Sequence, residues 1–434
     1  MKQKRRDFIR IAGLTGLGMT GGLQGFATGS DMVPQKPDFM IQHSTGNSDT
    51  QNLLAGETSL IGPYGKWAAS LINKELPSLS FRRKTFSNLE HWRSQAKKQL
   101  EDRLGIPKLG GIPEVKIKKQ YTFDGLHIEE LQWQLPYGPP TDALLLKPQH
   151  ASGPLPGILA FHDHAANKYF GARKITRTGN DQHPLMKYHQ EHYYENTAWA
   201  NEIAKRGYVV LVSDAFPFAS RRVKLSDVPE HLRGKLTDED PESPENILAY
   251  NKWAADHEHI MAKSLFSAGT TWPGVFFAED QKALDVLCAR KDVDASRIGC
   301  GGLSGGGMRT VFMGGLDPRI KCAVCVGFMT TWQDLILDKS FTHTWMTYVP
   351  MLPNELDFPE ILGLRAPLAT LILNDEHDNL YTLPEMKKAD AILREVYVKA
   401  KAEDRYACSY YPGPHKFDVK MQSEAFNWFD RWLK

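Results

Sequence analysis

Arg297-Ile298-Gly299-Cys300-Gly301-Gly302-Leu303-Ser304-Gly305-Gly306-Gly307-Met308-Arg309 is the stretch that decides how this chain folds. A short apolar run enters it, and a helix-compatible run, Met308 to Met313, leaves it. At its centre Gly302-Leu303-Ser304-Gly305-Gly306 fits G-x-S-x-G, in which a strand turns sharply into a helix and holds a serine hydroxyl at the tip of a sheet. The serine backbone is strained in such a turn, and side chains at the flanking positions would collide with the neighbouring strand and helix, so those positions are glycine. In a chain with 35 glycines the five-residue pattern says little alone. The strand before it and the helix after it give it value.

Outward from this point, residues 115–123 and 127–135 read as an antiparallel pair turned at Asp124-Gly125, and residues 142–147 as a further strand. Buried-type runs follow at 157–161, 207–213, 320–327, 368–373 and 406–411, with the elbow strand at 297–301. Helices are expected over 86–104 with Ser87 as cap, and over 197–206, 277–290 and 424–433. Strands that alternate with helices form a mostly parallel sheet covered on both faces, with the chemistry at the C-terminal strand ends. Three connectors, 165–196, 215–273 and 328–366, are long and follow those ends, so they are expected to overhang the site.

A serine hydroxyl needs a base, usually an imidazole that a carboxylate orients. On an elbow fold the chain order is Ser, acid, His. Of the histidines after Ser304 (His343, His377 and His415), His415 stands just past the last strand and before the last helix, where the base belongs. The acid is expected after the 368–373 strand, where Asn374-Asp375-Glu376-His377-Asp378 offers three carboxylates.

Here the chain resembles the dienelactone hydrolase and acetyl-xylan-esterase branch of the α/β-hydrolase superfamily. Asp294 with Arg297-Ile298-Gly299 is similar to that branch's entry strand, and Trp272-Pro273-Gly274 leading to Asp280 and Asp285 to its pre-elbow helix. Asp357-Phe358-Pro359 with Ala366-Pro367 resembles its lead into the acid strand. Tyr411-Pro412-Gly413-Pro414-His415-Lys416-Phe417 resembles its base loop. The resemblance covers most of residues 81–434 and implies an eight-stranded, mostly parallel sheet with helices on both faces and cap-like insertions. It implies acyl-enzyme ester hydrolysis without a metal or other cofactor. Superposed on the branch's His-Gly-x-x-Asp, Asp378 falls on the acid, with Asp375 as the alternative because Asn374-Asp375 replaces His-Gly. The oxyanion donors become the N–H groups of Gly305 and of His164, which lies in His162-Asp163-His164 where the branch has His-Gly-x. Asp163 must then point away from the hole, pair with a cation such as Lys168 or Arg173, or signal altered chemistry, since a carboxylate there would oppose the developing charge.

Composition bounds the remaining readings. The 434 residues, 41% hydrophobic and 24% charged, suit a globular protein with a large core. The net charge is +2, of which +4 falls in residues 1–27, so the rest carries −2 and holds no nucleic-acid footprint. Lys4-Arg5-Arg6-Asp7-Phe8-Ile9-Arg10 resembles a twin-arginine export signal, followed by a weakly apolar run that ends at Ala27. Cleavage there predicts a periplasmic or secreted protein with a flexible leader over 28–80 and no membrane partner. Five cysteines argue against a disulfide framework, and Cys322 and Cys325 lie three apart on a strand, so they face opposite sides.

Histidine clusters at 183–192 and 256–259 match no metal motif and are read as helix faces or cleft lining. His162, Asp163, Asp214, Arg221 and Trp272 are candidates for a substrate cleft, as are Trp199, Trp332 and Trp345 for stacking on a sugar. The substrate expected is a small-molecule or oligosaccharide ester. The alternatives are a prolyl-oligopeptidase-like peptidase and a degenerate hydrolase that only binds its ligand.

Overall fold

Nine runs of residues join a single sheet in the computed structural model, which describes residues 59–72, 75–239 and 242–434. The export signal and most of the leader lie outside the described residues. Within the leader's remainder, Gly65–Leu71 is a short helix. Among the described residues no helix is long and apolar enough to cross a membrane.

The strands are β1 (Lys116–Phe123), β2 (Leu126–Trp133), β3 (Thr141–Pro148), β4 (Leu155–Phe161), β5 (Val209–Ser213), β6 (Val293–Leu303), β7 (Ile320–Val326), β8 (Ala369–Asp375) and β9 (Tyr406–Tyr411), in the order β1-β2-β3-β5-β4-β6-β7-β8-β9. β1, β2, β3 and β5 pair antiparallel, and every pair from β5 through β9 is parallel. The sheet therefore contains all nine runs read as strands, one more than the eight that the resemblance implies. β1 is an edge strand whose lysines, Lys116, Lys118 and Lys119, are exposed, and such charge blunts edge-to-edge association.

Side chains alternate faces along the buried strands. Leu159, Phe161, Leu211, Cys300, Cys325 and Ile372 belong to one core, and Ile158, Ala160, Val210, Val324 and Leu373 to the other. Cys322 and Cys325 fall in different cores, as their spacing implies, and all five cysteines are free. The first core is covered by α1 (Leu89–Leu104), α6 (Trp272–Cys288), α7 (Gly305–Leu316), α8 (Phe358–Gly363) and α9 (Leu383–Lys399), the second by α3 (Trp199–Lys205) and α10 (Val419–Leu433). The long connectors supply α2 (Pro184–Tyr194), α4 (Pro244–Asp256) and α5 (Glu258–Ser267).

Helix starts follow their caps rather than the apolar periodicity. α1 begins one residue later than a Ser87 cap would place it, because Asn88 Oδ1 accepts from the His91 N–H at 2.8 Å. α6 begins at Trp272, five residues before Phe277, since Thr271 Oγ1 accepts from Gly274 N and a proline occupies the first turn. α10 likewise begins at Val419, capped by Asp418, which accepts from Met421 N at 3.0 Å.

Strand register brings the C-terminal ends together. Phe161 pairs with Gly302, Leu303 and Leu373 both with Val326, and Asp375 with Tyr411. The turns that follow β4, β6, β8 and β9 carry His162-Asp163-His164, Ser304, Asp378 and His415.

Candidate active site

Ser304 sits between β6 and α7 at φ 59° and ψ −116°, a conformation that non-glycine residues rarely adopt. The turn is pinned by its backbone: Ser304 N donates to Val326 O at 2.9 Å and Met308 N to Ser304 O at 2.9 Å. A Cβ on Gly302 would stand 2.4 Å from Phe161 O, and one on Gly306 2.5 Å from the same atom. Only glycine lets β4 pass so close to the elbow.

Asp378 and His415 meet across the ends of β8 and β9. Asp378 Oδ2 accepts from His415 Nδ1 at 2.6 Å, and Asp378 Oδ1 from Leu380 N at 2.8 Å. His415 Nε2 is buried and makes no hydrogen bond to protein among the described residues. The imidazole lies beside Gly327, where a Cβ would stand 2.9 Å from its Cε1. Gly327 follows Val326, the residue that accepts from Ser304 N, so the elbow and the imidazole flank the same strand end. Burial lowers the imidazole pKa, but the Asp378 charge and hydrogen bond outweigh it, and the net shift is upward. Asp375 is turned elsewhere: its Oδ2 accepts from Lys416 N at 3.0 Å, and burial pushes its carboxyl up to about 7.

The loop after β4 is fastened from below. A Cβ on Gly305 would stand 3.1 Å from His164 N, so the His164 amide nitrogen packs against Gly305. Gly305 is also the first residue of α7, whose leading N–H groups carry the positive end of the helix dipole. The Asp163 carboxylate points away, its Oδ2 accepting from His189 Nε2 at 3.0 Å and Tyr194 Oη at 2.5 Å. Its cation is Lys174, with Nζ 3.6 Å from Oδ1, and not Lys168 or Arg173, which pair with Glu258 and Glu242. His189 and Lys174 outweigh the burial penalty and hold the Asp163 carboxyl well below its ordinary range. Burial lowers Lys174 to about 8 against the attraction of Asp163.

Solved structures share this arrangement of elements. A structure from Bacteroides fragilis NCTC 9343, named a putative acetyl xylan esterase, superposes with a TM-score of 0.59 at 17% identity, over 80% of this chain and 81% of that one. A glucuronoyl esterase from Solibacter usitatus gives 0.53 at 14% identity, over 82% and 97%. This chain has the α/β-hydrolase fold. The relative "Putative hydrolase YtaP" of Bacillus subtilis (strain 168) is 27% identical over 294 residues, 67% of this chain and 83% of that protein. No protein-family model matches the chain.

Within the hydrolase fold, the five residues expected to line a cleft are all buried, and four of them, His162, Asp163, Asp214 and Arg221, are engaged with neighbouring loops. The His162 Nδ1–H donates to Asp163 O at 3.0 Å while Nε2 accepts from Ala215 N at 3.3 Å, so the ring braces two loops, and burial keeps it neutral. Asp214 takes the amides of Ala172 and Ser220, at 2.8 and 3.1 Å. Arg221 pairs with Glu279 at 2.5 Å rather than with Asp214. Trp272 borders a small cavity with Lys168 and Glu258. Trp199 and Trp332 are buried as well, whereas Trp345 is 43% exposed. Motif reading had no handle on Lys174, and it saw Glu258 only as part of the histidine-rich 256–259 run. Glu258 accepts from His164 Nε2 at 3.2 Å, Thr344 Oγ1 at 2.6 Å and Trp345 N at 3.2 Å, and forms an ion pair with Lys168 Nζ at 2.5 Å.

The histidine clusters are engaged as structure: His183 caps α2 through Leu185 N, and His257 stacks on Trp253 at 4.7 Å. Among the described residues, Asp375, Asp378 and His415 are the one group whose atoms lie close enough to hold a cation. Two of those three already share a hydrogen bond.

Proposed function

We propose that this chain is a serine esterase that hydrolyses carboxylic esters through Ser304, His415 and Asp378. The observation that carries the reading is the Asp378–His415 hydrogen bond of 2.6 Å at the sheet end where Ser304 occupies its positive-φ turn. In this mechanism His415 Nε2 takes the Ser304 hydroxyl proton as Oγ bonds the ester carbonyl carbon. The carbonyl electron pair moves onto oxygen, where the Gly305 and His164 N–H groups receive it. Collapse expels the alkoxide, which takes the proton from His415 and leaves as alcohol. Water then repeats the sequence on the acyl-enzyme, releasing the acid and free Ser304. Asp378 holds the imidazole tautomer and stabilises its cation.

The substrate class proposed is a carbohydrate ester. The neighbours named acetyl xylan esterase and glucuronoyl esterase support it, as does the exposed Trp345 in the 328–366 insertion. The test is a release assay with 4-nitrophenyl acetate, acetylated xylo-oligosaccharides and methyl glucuronate. Hydrolysis of one sugar ester above the aryl ester in kcat/KM, lost in Ser304→Ala, is the expected result. Activity that survives Ser304→Ala contradicts the mechanism, and indifference to sugar esters contradicts the substrate class. Export by the twin-arginine route is proposed from Arg5 and Arg6. Changing both to lysine is expected to retain the protein in the cytoplasm, and unchanged export would sink that reading.

A further inference from the structure

We infer that Lys174 is a positioning residue for the oxyanion hole: it grips the carbonyls of Asp163 and His164 and thereby aims the His164 N–H toward Gly305. The inference rests on the serine-esterase reading. Lys174 Nζ donates to Asp163 O at 2.8 Å and to His164 O at 2.9 Å, and its side chain is fully buried. Asp163 O accepts a second bond, from His162 Nδ1 at 3.0 Å.

The Asp163 carbonyl and the His164 N–H belong to one planar peptide and point in opposite directions. Fixing the oxygen from one side therefore fixes where the N–H aims on the other. An ammonium on the carbonyl also draws electron density from the amide, and hydrogen bonds in such a chain strengthen one another. The His164 N–H becomes a better donor at the moment an oxyanion forms, without any movement.

The same geometry accounts for an aspartate where the branch has glycine. A buried ammonium is tenable only with a counterion. Asp163 supplies it at 3.6 Å while His189 and Tyr194 hold that carboxylate away from the hole. The Phe218 ring, 4.7 Å from Nζ, closes the remaining side.

The test compares wild type with the paired variant Lys174→Met and Asp163→Asn, which removes both charges together. Two quantities are read on folded protein: steady-state constants with 4-nitrophenyl acetate, and affinity for a phenylboronic acid, which becomes a tetrahedral anion on the serine. Direct loss of an oxyanion donor costs about 100-fold or more in kcat. Loss of its support is expected to cost about tenfold or more, with KM within about twofold and boronate affinity weakened by the same factor as kcat. If the paired variant does not fold, Lys174→Gln, which keeps one neutral donor, serves instead and is expected to lose kcat and boronate affinity in parallel. Unchanged kcat, or a loss of kcat with boronate affinity intact, overturns the role of Lys174. Boronate binding that is unaffected by Ser304→Ala in otherwise wild-type protein would instead refute the underlying serine mechanism.

Discussion

Asp375 and Asp378 place two carboxylates beside one imidazole, and their hydrogen bonds divide the work between them. Asp378 is bonded to His415 Nδ1, whereas Asp375 is the last residue of β8 and holds the base loop by Lys416 N. Asp378→Asn is expected to lower kcat by about 10³-fold or more, as loss of a triad carboxylate does. Asp375→Asn keeps an acceptor for Lys416 N and should stay within about tenfold of wild type. Steady-state rates on an aryl ester compare the two, and the reverse order would move the acid to Asp375. Sequence order left both open, because a carboxylate following a strand does not declare which way it turns. That depends on where β8 ends.

The pH profile follows from the same pair. In the proposed mechanism His415 must be neutral to accept the Ser304 proton, and its folded pKa lies above the ordinary 6.5. The acid limb of kcat/KM is therefore expected above pH 6.5, with activity rising as pH rises through it. In the residual activity of Asp378→Asn the limb should move to lower pH. A wild-type limb below 6.5 would contradict the pairing.

At the scale of elements, the elbow is the most legible part of the chain, since its glycines are required by backbone approach. Gly302→Ala and Gly306→Ala each drive a methyl against Phe161 O, a backbone atom that cannot step aside. Each should destabilise by about 3 kcal/mol or more, in line with severe overpacking. Gly179→Ala, where a Cβ meets nothing within 4 Å, should have little effect. Chemical denaturation of the three variants checks this. The buried parallel strands were legible for a related reason, as apolar runs covered on both faces. Helix starts were less so. Thr271 and Asp418 set them by accepting from amides three residues on, a local signal that the apolar stripe conceals.

Across the whole molecule, the insertions after β4, β5 and β7 are tied to one another through a single carboxylate. Glu258, in the second, joins Lys168 of the first and His164 just before it to Thr344 and Trp345 of the third. Such links cross roughly ninety residues of chain, so the 256–259 run was visible in the sequence but the partners of Glu258 were not, and Lys174, only 10 and 11 residues from His164 and Asp163, fits no motif spacing. The cleft candidates show the same limit: polar side chains after strand ends look like substrate contacts, but His162, Asp214 and Arg221 are buried and bonded to neighbouring loops. Glu258→Ala strands the buried Lys168 ammonium. It is expected to cost about 3 kcal/mol, as breaking a buried pair does, and to lower kcat through the oxyanion loop. Thermal unfolding and rates on one preparation read both, and a variant as stable and active as wild type would show that the insertions are held elsewhere.

The central claim is that Ser304 is an activated nucleophile. Reaction of the intact protein with a fluorophosphonate, followed by mass mapping of the labelled peptide, tests it most directly. One label per chain on Ser304, absent in Ser304→Ala and slowed in Asp378→Asn, is the predicted result. No label, or equal labelling of Ser304→Ala, would contradict it.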